Sequence, residues 1–357
     1  MIIVDAHLDL AYNALTFGRD YLQTVEQIRA TEAKLPAHDI ATVSFRQLKE
    51  AGVGLVFGTI FVLPATSSNL MSREMRSVYH DAQSAHRLGM EQLDYYRRLV
   101  DVEQNRLRLV TDTGSLEEVL KSNEEEEQPL LGIVPLMEGA DPIREPQELE
   151  LWVEKGLRVI GLAWDDTRYA AGAWRESRHG LTKEGRALLE VMAQYGLILD
   201  LTHMNEKASL EALDHYEGPV VATHSNARVL VSGERQLSDN QIRLLGERNG
   251  VIGIVLFNRF LRAGYEKGDP KALVTLDHVL AHIDHICQIL GDARHVGLGT
   301  DFDGGVGAAD IPAELDSSAD LPLIAGKLRA YGYEEADIIA IMGGNWIHLL
   351  RSSFTNL

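Results

Sequence analysis

The sequence predicts a (β/α)8 barrel, the TIM-barrel architecture, and two observations support this prediction. Eight short runs are apolar at nearly every position, as expected of parallel strands covered on both faces, and helical patterns separate them. Residues able to bind metal follow several of these runs at the same end. The runs cover residues 2–9, 52–61, 129–137, 157–164, 197–203, 219–224, 250–257 and 295–304.

The segments between these runs predict the helices. One helix is expected to begin at Ser115, capped in the Ser-x-x-Glu manner by Ser115 and Glu118. A short additional strand is expected at 107–110. Other helices are expected near 41–50, 72–104, 146–155, 182–195, 206–215, after Ser238 and at 276–290. Residues 1–357 are therefore expected to form one barrel domain, with inserted helices near 72–104 and C-terminal helices within 318–354.

The composition excludes several classes of partner. The chain of 357 residues has 34 Lys and Arg against 53 Asp and Glu, a formal net charge of -19. Nucleic acid and anionic membrane surfaces both require a basic face, so neither is an expected partner. A single cysteine, Cys287, excludes an internal disulfide, and the first residues lack the pattern of a signal peptide. We therefore expect a cytoplasmic protein with no membrane segment.

Polar residues at the strand ends predict a metal site. Residues two apart in a strand point to the same side, so His7 and Asp9 can aim at one cation. Alone, this pair is weak evidence, and a core histidine beside a turn aspartate would be the favoured interpretation. Barrel enzymes build their active sites at the C-terminal ends of the strands, however, and four other strands end in similar residues. The set expected to converge is His7, Asp9, Glu138, His203, His224 and Asp301.

These residue types can hold two cations. His7 and Asp9 would bind one ion and His203 and His224 the other, while Glu138 bridges them with its two oxygens. Nitrogen and oxygen ligands without a thiolate suit zinc best, although manganese, cobalt or iron would also be accommodated. The predicted cofactor is therefore a pair of zinc ions.

The predicted chemistry is hydrolysis. Two ions about 3.5–4 Å apart can share a hydroxide and lower its pKa towards neutrality, which makes it a nucleophile. Asp301, arriving from the eighth strand, could take a proton from the attacking water and pass it to a leaving nitrogen. Asp301 and Glu138 are thus the predicted catalytic residues.

The segments at the strand ends resemble those of the membrane (renal) dipeptidase family, peptidase family M19, over nearly the whole chain. The resemblance implies a binuclear zinc barrel hydrolase that cleaves dipeptides, including those with a D-residue at the C-terminal position, with the ligand roles given above. It also implies a soluble bacterial-type member and a homodimer. The matching segments are residues 4–9, 137–139, 200–203, 223–228, 235–239 and 299–304.

The resemblance also implies substrate contacts. Arg235 would grip the terminal carboxylate of the substrate, as a bidentate guanidinium can. Trp164 stands where familiar members have a histidine that contacts the scissile group, and Phe257 stands where a tyrosine is expected. Neither aromatic residue can take up a proton, so we expect an altered substrate preference. Asp165, in the long connector 165–179, is a candidate partner for the substrate ammonium group.

Two other functions remain compatible with the sequence. The first is an amidohydrolase-type enzyme that acts on a lactam, a lactone or an N-acyl amino acid. The second is a binding protein that has kept the fold and lost turnover, although the full ligand set and Asp301 argue against it. Screening these substrates beside dipeptides separates the alternatives.

Overall fold

A parallel barrel forms the centre of the computed structural model, which describes residues 1–34, 39–70, 78–125, 128–175 and 177–354. Within these residues, all eight predicted strands are present and follow one another around the barrel in chain order. The prediction of a (β/α)8 barrel is confirmed. The strands are β1 (Ile3–Leu8), β2 (Val53–Phe61), β3 (Leu131–Glu138), β4 (Val159–Gly161), β5 (Ile198–Asp200), β6 (Val220–Val221), β7 (Ile252–Ile254) and β8 (Val296–Leu298).

The barrel closes between β6 and β7 through a single parallel bridge that joins Ala222 to Ile252. Two glycines allow the backbones to approach closely here. A Cβ atom on Gly253 or on Gly299 would lie 1.9 Å or 1.7 Å from the Thr223 carbonyl oxygen. Any side chain at either position would therefore push apart the strands that carry the polar residues of β6 and β8.

The helices surround this barrel. Two of them, Glu206–His215 and Leu276–Leu290, have the bounds that the sequence predicts. The others are Leu10–Phe17, Val25–Glu32, Phe45–Ala51, Ala82–Val102, Thr113–Glu125, Leu149–Glu154, Lys183–Gln194, Asp239–Glu247, Asn258–Leu261, Pro322–Tyr331, Glu335–Ile339 and Asn345–Phe354. The predicted short strand is also present, as Leu107–Leu109, and it pairs with β3.

Two helix predictions need correction. The helix predicted at 72–104 begins at Ala82 among the described residues, and 72–77 lie outside them. The helix expected to start at Ser115 starts at Thr113. The Asp112 carboxylate accepts a hydrogen bond of 2.7 Å from the Ser115 backbone N–H, so Asp112 is the capping residue and Ser115 occupies the third helical position. The sequence pattern was right about a cap and wrong about which residue supplies it.

Alternate residues of the strands pack into different apolar clusters, because successive side chains point to opposite faces. Val4 and Leu55 belong to the cluster of the C-terminal Trp346, whereas Ile3 and Val56 belong to the larger cluster that includes most of the helices. Both faces of the strands are thus buried, which explains their continuous apolar runs. Among the described residues, no helix combines the length and apolar character that a membrane span requires.

Candidate metal centre

The ends of the strands bring the predicted ligands together around Glu138, the last residue of β3. His203 Nε2 lies 2.9 Å from Glu138 Oε1, and His224 Nε2 lies 3.5 Å from the same oxygen. His7 Nε2 lies 3.5 Å from the other oxygen, Oε2. All four side chains are buried. The carboxylate of Glu138 therefore faces His203 and His224 with one oxygen and His7 with the other.

The surroundings of His7 fit a cation. Its imidazole is fully buried, and neither ring nitrogen has a hydrogen-bond partner among the described residues. An unpartnered buried polar atom is costly in a folded protein, and a bound ion would remove that cost. Donor atoms of His7, Glu138 and His224 lie within 4.8 Å of one another, as do those of His7, Asp9 and Asp301. The residues present thus fit divalent cations.

Asp9 and Asp301 form the other side of this cluster. Asp301 Oδ1 lies 3.8 Å from His7 Nε2, and the Thr59 hydroxyl donates a hydrogen bond to Asp9. Asp301 has a φ of 61°, and His203 has a φ of 68°, values that side-chain-bearing residues rarely adopt. Such strained backbone concentrates at functional sites, where the surrounding structure holds it.

Charge and burial shift the pKa values of these groups. Burial opposes protonation of His7, but the Glu138 carboxylate outweighs it and raises the His7 pKa to about 10. Burial lowers the pKa of His203 to about 3. Burial also raises the pKa of Asp301 well above its ordinary value. Without a cation, the surrounding carboxylates thus favour a positive charge on His7, and burial favours the protonated form of Asp301.

Gly304 has no side chain, and this absence makes room for the carboxylates of Asp9 and Asp301. A Cβ atom at this position would lie 2.0 Å from Asp301 Oδ1 and 2.6 Å from Asp9 Oδ2. We expect Gly304→Ala to displace both carboxylates, and displacements of about 1 Å cost about 10²-fold in turnover. Steady-state kinetics checks this expectation. Gly326→Ala is the matched control, because no heavy atom lies within 4 Å of its added Cβ; equal activities of the two variants would contradict the prediction.

A cavity of about 450 Å³ opens beside the cluster. Glu138, His203 and Asp301 line its floor, so a molecule inside it would reach the candidate ligands directly. Trp164 and Phe257, the two aromatic residues that the sequence places near the substrate, also line the cavity. Both therefore stand where they could contact a bound molecule.

Arg235 is buried against the cluster and lines the same cavity. Its guanidinium donates to the His224 carbonyl oxygen at 3.0 Å and to Ser225 Oγ at 3.2 Å. Its Nε has no hydrogen-bond partner among the described residues. Burial lowers the pKa of Arg235 to about 10, so it remains cationic at neutral pH. The Arg235 guanidinium is thus held in place by the protein, and its Nε–H remains available to donate a hydrogen bond to a ligand.

Asp165, the predicted partner of a substrate ammonium group, is not among the described residues that line the cavity. Arg175 Nε lies 2.8 Å and 2.9 Å from its two oxygens, Arg175 Nη2 lies 2.7 Å from Oδ2, and the Ser67 hydroxyl also donates to this carboxylate. The carboxylate is buried. Because it is already neutralised by Arg175, it ties the connector 165–179 to the segment after β2.

The sequence did not reveal several residues around the centre. Trp174 Nε1 donates to His203 Nδ1 at 3.1 Å, and the Phe260 ring lies 5.3 Å from the Arg235 guanidinium. Trp174 lies in the long connector that the sequence marked as substrate-facing, so its aromatic residues were the available signal. Thr59 is a lone hydroxyl residue near the end of an otherwise apolar strand, which was a weaker signal.

Comparison with known proteins agrees with this geometry. The model of the membrane dipeptidase family (peptidase family M19) matches residues 1–355. An uncharacterized Klebsiella pneumoniae protein encoded in the pqqA 5' region is 32% identical over 73% of this chain and 94% of its own length. Dipeptidase tcpJ from Claviceps purpurea is 27% identical over 88% of this chain and 70% of its own.

Comparison with solved structures also finds dipeptidases and metallopeptidases. A metallopeptidase from Rhodobacter sphaeroides, determined with a phosphinate mimic of the dipeptide L-Ala-D-Ala, superimposes with a TM-score of 0.79 and 25% identity. A dipeptidase described as a metallopeptidase of family M19 has a TM-score of 0.80, also at 25% identity. Each comparison covers 99% of both chains. The chain therefore belongs to the membrane dipeptidase family, peptidase family M19, and is a metal-dependent hydrolase of dipeptides.

Proposed function

We propose that the chain is a binuclear zinc dipeptidase that accepts substrates with a C-terminal D-residue. The observation that carries this proposal is the position of Glu138, whose two oxygens face different histidines across a buried centre. A carboxylate placed in this way suits a bridge between two cations. The donors are nitrogen and oxygen atoms only, which favours zinc over softer metals.

The chain's own residues divide between two ions in this proposal. His7 and Asp9 would hold one ion, His203 and His224 the other, and Glu138 both. Two cations bound by these residues would supply an activated water molecule and would polarise the scissile carbonyl. Glu138 also keeps the histidines oriented, because its oxygens contact their Nε2 atoms.

Asp301 is the proposed proton carrier. Its carboxyl group lines the cavity within 3.8 Å of His7 Nε2, beside the proposed metal ligands. A carboxylate within reach of the attacking water can accept its proton. It would therefore take a proton from the attacking water and deliver it to the leaving amine.

Arg235 is the proposed anchor for the substrate carboxylate, with Trp164 and Phe257 packing against the rest of the dipeptide. The inhibitor in the Rhodobacter enzyme mimics a dipeptide that ends in D-Ala, which supports the proposed tolerance for a D-residue. Trp164 and Phe257 carry no proton acceptor, so they would shape side-chain preference without taking part in proton transfer.

We expect Arg235→Gln to lower kcat/KM for dipeptides about 10- to 100-fold, because a hydrogen-bonded charge pair contributes about 1.5–3 kcal/mol. The loss should be much smaller for dipeptide amides, which lack the carboxylate. Steady-state kinetics on matched acid and amide substrates measures this. Arg259→Gln provides a control, since Arg259 lines the cavity but its side chain is 54% exposed and screened by water. A uniform loss on acids and amides would contradict the anchoring role.

The function itself is tested with metal-free protein reloaded with defined amounts of zinc, manganese, cobalt or iron. The substrates are a panel of L,L and L,D dipeptides, N-acyl amino acids, lactams and lactones. We expect release of amino acids from dipeptides of both series, with activity that saturates at about two zinc ions per chain. Saturation at one ion would overturn the binuclear proposal, and failure on every L,D dipeptide would overturn the proposed tolerance.

A further inference from the structure

Asp200, the last residue of β5, is buried two positions before Thr202 and lies beside the end of β6. Its Oδ1 accepts hydrogen bonds from the backbone N–H groups of Thr202 at 3.0 Å and of Thr223 at 2.9 Å. Its Oδ2 accepts the hydroxyl of Thr223 at 2.5 Å. The carboxylate thus binds both the backbone and the side chain of the residue that precedes His224.

The hydroxyl of Thr223 can donate only one hydrogen bond. The acceptor of that bond determines which ring nitrogen of His224 carries a proton. Thr223 Oγ1 lies 2.5 Å from the Asp200 carboxylate and 3.0 Å from His224 Nδ1. A carboxylate is the stronger acceptor and is also the nearer one, so the hydroxyl donates to Asp200. The remaining lone pairs of Thr223 then face His224 Nδ1, which must carry the proton and donate. His224 Nε2 is consequently left with a free lone pair.

That lone pair points at the centre. His224 Nε2 lies 3.0 Å from His203 Nε2 and 3.5 Å from Glu138 Oε1. A ring nitrogen that holds a metal must be unprotonated, and in most metal sites the other ring nitrogen donates to a carboxylate or carbonyl oxygen. Here a threonine hydroxyl is interposed between the ring and the carboxylate.

We propose that Asp200 and Thr223 are positioning residues that fix the proton of His224 on Nδ1 and so keep Nε2 available as a metal ligand. This inference rests on the proposed role of His224 in holding an ion. The chain of donors runs from His224 Nδ1 to Thr223 Oγ1 and from Thr223 Oγ1 to Asp200 Oδ2.

The barrel contains a second buried pair of an aspartate and a threonine, Asp5 and Thr300. Comparison with this pair shows that only the Asp200–Thr223 pair contacts a histidine ring. Asp5 accepts the backbone N–H of Thr300 at 2.8 Å and its hydroxyl at 2.6 Å. The oxygen of Thr300 accepts the Phe302 N–H at 3.1 Å, with no imidazole involved. This second pair therefore shapes the turn that presents Asp301, whereas the Asp200 pair orders a ring. Because Asp5 also accepts the His7 backbone N–H at 3.3 Å, Asp5→Asn is a matched control for the tautomer of His224 and not for zinc affinity.

The isosteric variant Asp200→Asn should reverse the direction of the two hydrogen bonds that link residue 200, Thr223 and His224. With the amide oxygen in place of Oδ1, which accepts two backbone N–H groups, the amide nitrogen replaces Oδ2 and donates to Thr223. The hydroxyl of Thr223 is then free to donate to His224 Nδ1, which moves the ring proton to Nε2. We expect the affinity for the ion at His224 to fall about 10- to 100-fold, as removing such outer partners does elsewhere.

Nitrogen-15 NMR of the metal-free full-length chain reports which ring nitrogen of His224 is protonated, with the signal assigned from a His224→Gln variant. We expect protonated Nδ1 in the wild type and in Asp5→Asn, and protonated Nε2 in Asp200→Asn. Zinc affinity is measured in parallel by competition with a chelator. Thr223→Ser keeps the hydroxyl and should retain both the Nδ1 proton and the affinity, whereas Thr223→Val should lose both.

An unchanged His224 tautomer in Asp200→Asn and Thr223→Val would overturn the proposal, because the two residues would then serve only to join β5 to β6. An unchanged zinc affinity in variants with a moved proton would also overturn it. The NMR readout needs no metal, so a failure of the proposed binuclear function appears separately, as absence of zinc binding in the wild type.

Discussion

Asp301→Asn should lower kcat about 10²- to 10⁴-fold, the contribution that a positioned general acid or base makes. An amide of the same shape fills the same space at the cavity floor but cannot accept a proton from water. KM and the bound metal should change little, because the proposed ligands and Arg235 are untouched. Steady-state kinetics with metal analysis of the same samples checks the expectation, and a kcat equal to that of the wild type would refute the proposed role.

The stability of the metal-free Asp301→Asn variant provides an independent control. Burial raises the pKa of Asp301 well above its ordinary value, so the folded state binds this proton more tightly than the unfolded state does. The stability that this proton contributes is therefore lost as the pH rises from the unfolded pKa through the raised folded pKa, and asparagine, which does not titrate, avoids that loss. We expect the variant to unfold at the same or a higher temperature near neutral pH. A lower Tm would indicate that a damaged fold explains the lost activity.

The barrel was predictable from the sequence because its strands are buried on both faces. Val53–Phe61 and Leu131–Glu138 are buried throughout, so their apolar runs have clear ends and leave little room for another fold. The cap of the helix Thr113–Glu125 was less predictable, since Asp112 and Ser115 are both good capping residues and only the folded structure shows which one lies at the boundary.

The sequence predicts those residues of the candidate centre that lie at or just after the end of a strand. His7, Glu138, His203 and His224 meet because the C-terminal ends of parallel strands share one rim of the barrel. Loop residues do not follow this rule. Asp165 directly follows the apolar run 157–164, yet it lies four residues beyond the end of β4, and the loop turns it towards Arg175. A loop's path depends on contacts across the fold that no local pattern encodes.

The residues that form hydrogen bonds with the site residues and their neighbours were the hardest to predict from the sequence. Thr223 and Thr300 precede site residues in similar segments, and both donate to a buried aspartate. Their different effects depend on which group faces the remaining lone pairs, an imidazole for Thr223 and a backbone N–H for Thr300. The hydrogen-bond lengths of the two threonines are nearly the same, so the neighbouring group that the assembled barrel places beside each hydroxyl decides its effect.

His7→Ala should release one ion preferentially and leave the ion at His203 and His224 in place. The reason is geometric: His7 faces Glu138 Oε2, whereas the other two histidines face Oε1. After dialysis against a weak chelator, we expect the zinc content to fall from about two ions to about one per chain. Metal analysis of the dialysed protein measures this, and loss of both ions together would show that the two positions are not separable.

The same variant should also change the proton balance of metal binding. The His7 pKa is raised to about 10, so this ring holds a proton at pH 7, whereas a ligating imidazole must be neutral. Metal uptake therefore expels the proton, and affinity should rise about tenfold per pH unit in this range. Calorimetry in buffers of different ionisation enthalpy counts the protons released. The wild type should release about one more than His7→Ala. His203→Ala, which keeps the ion at His7, should still release the His7 proton, and it should lose none from position 203, because burial lowers the His203 pKa to about 3 and that ring is already neutral.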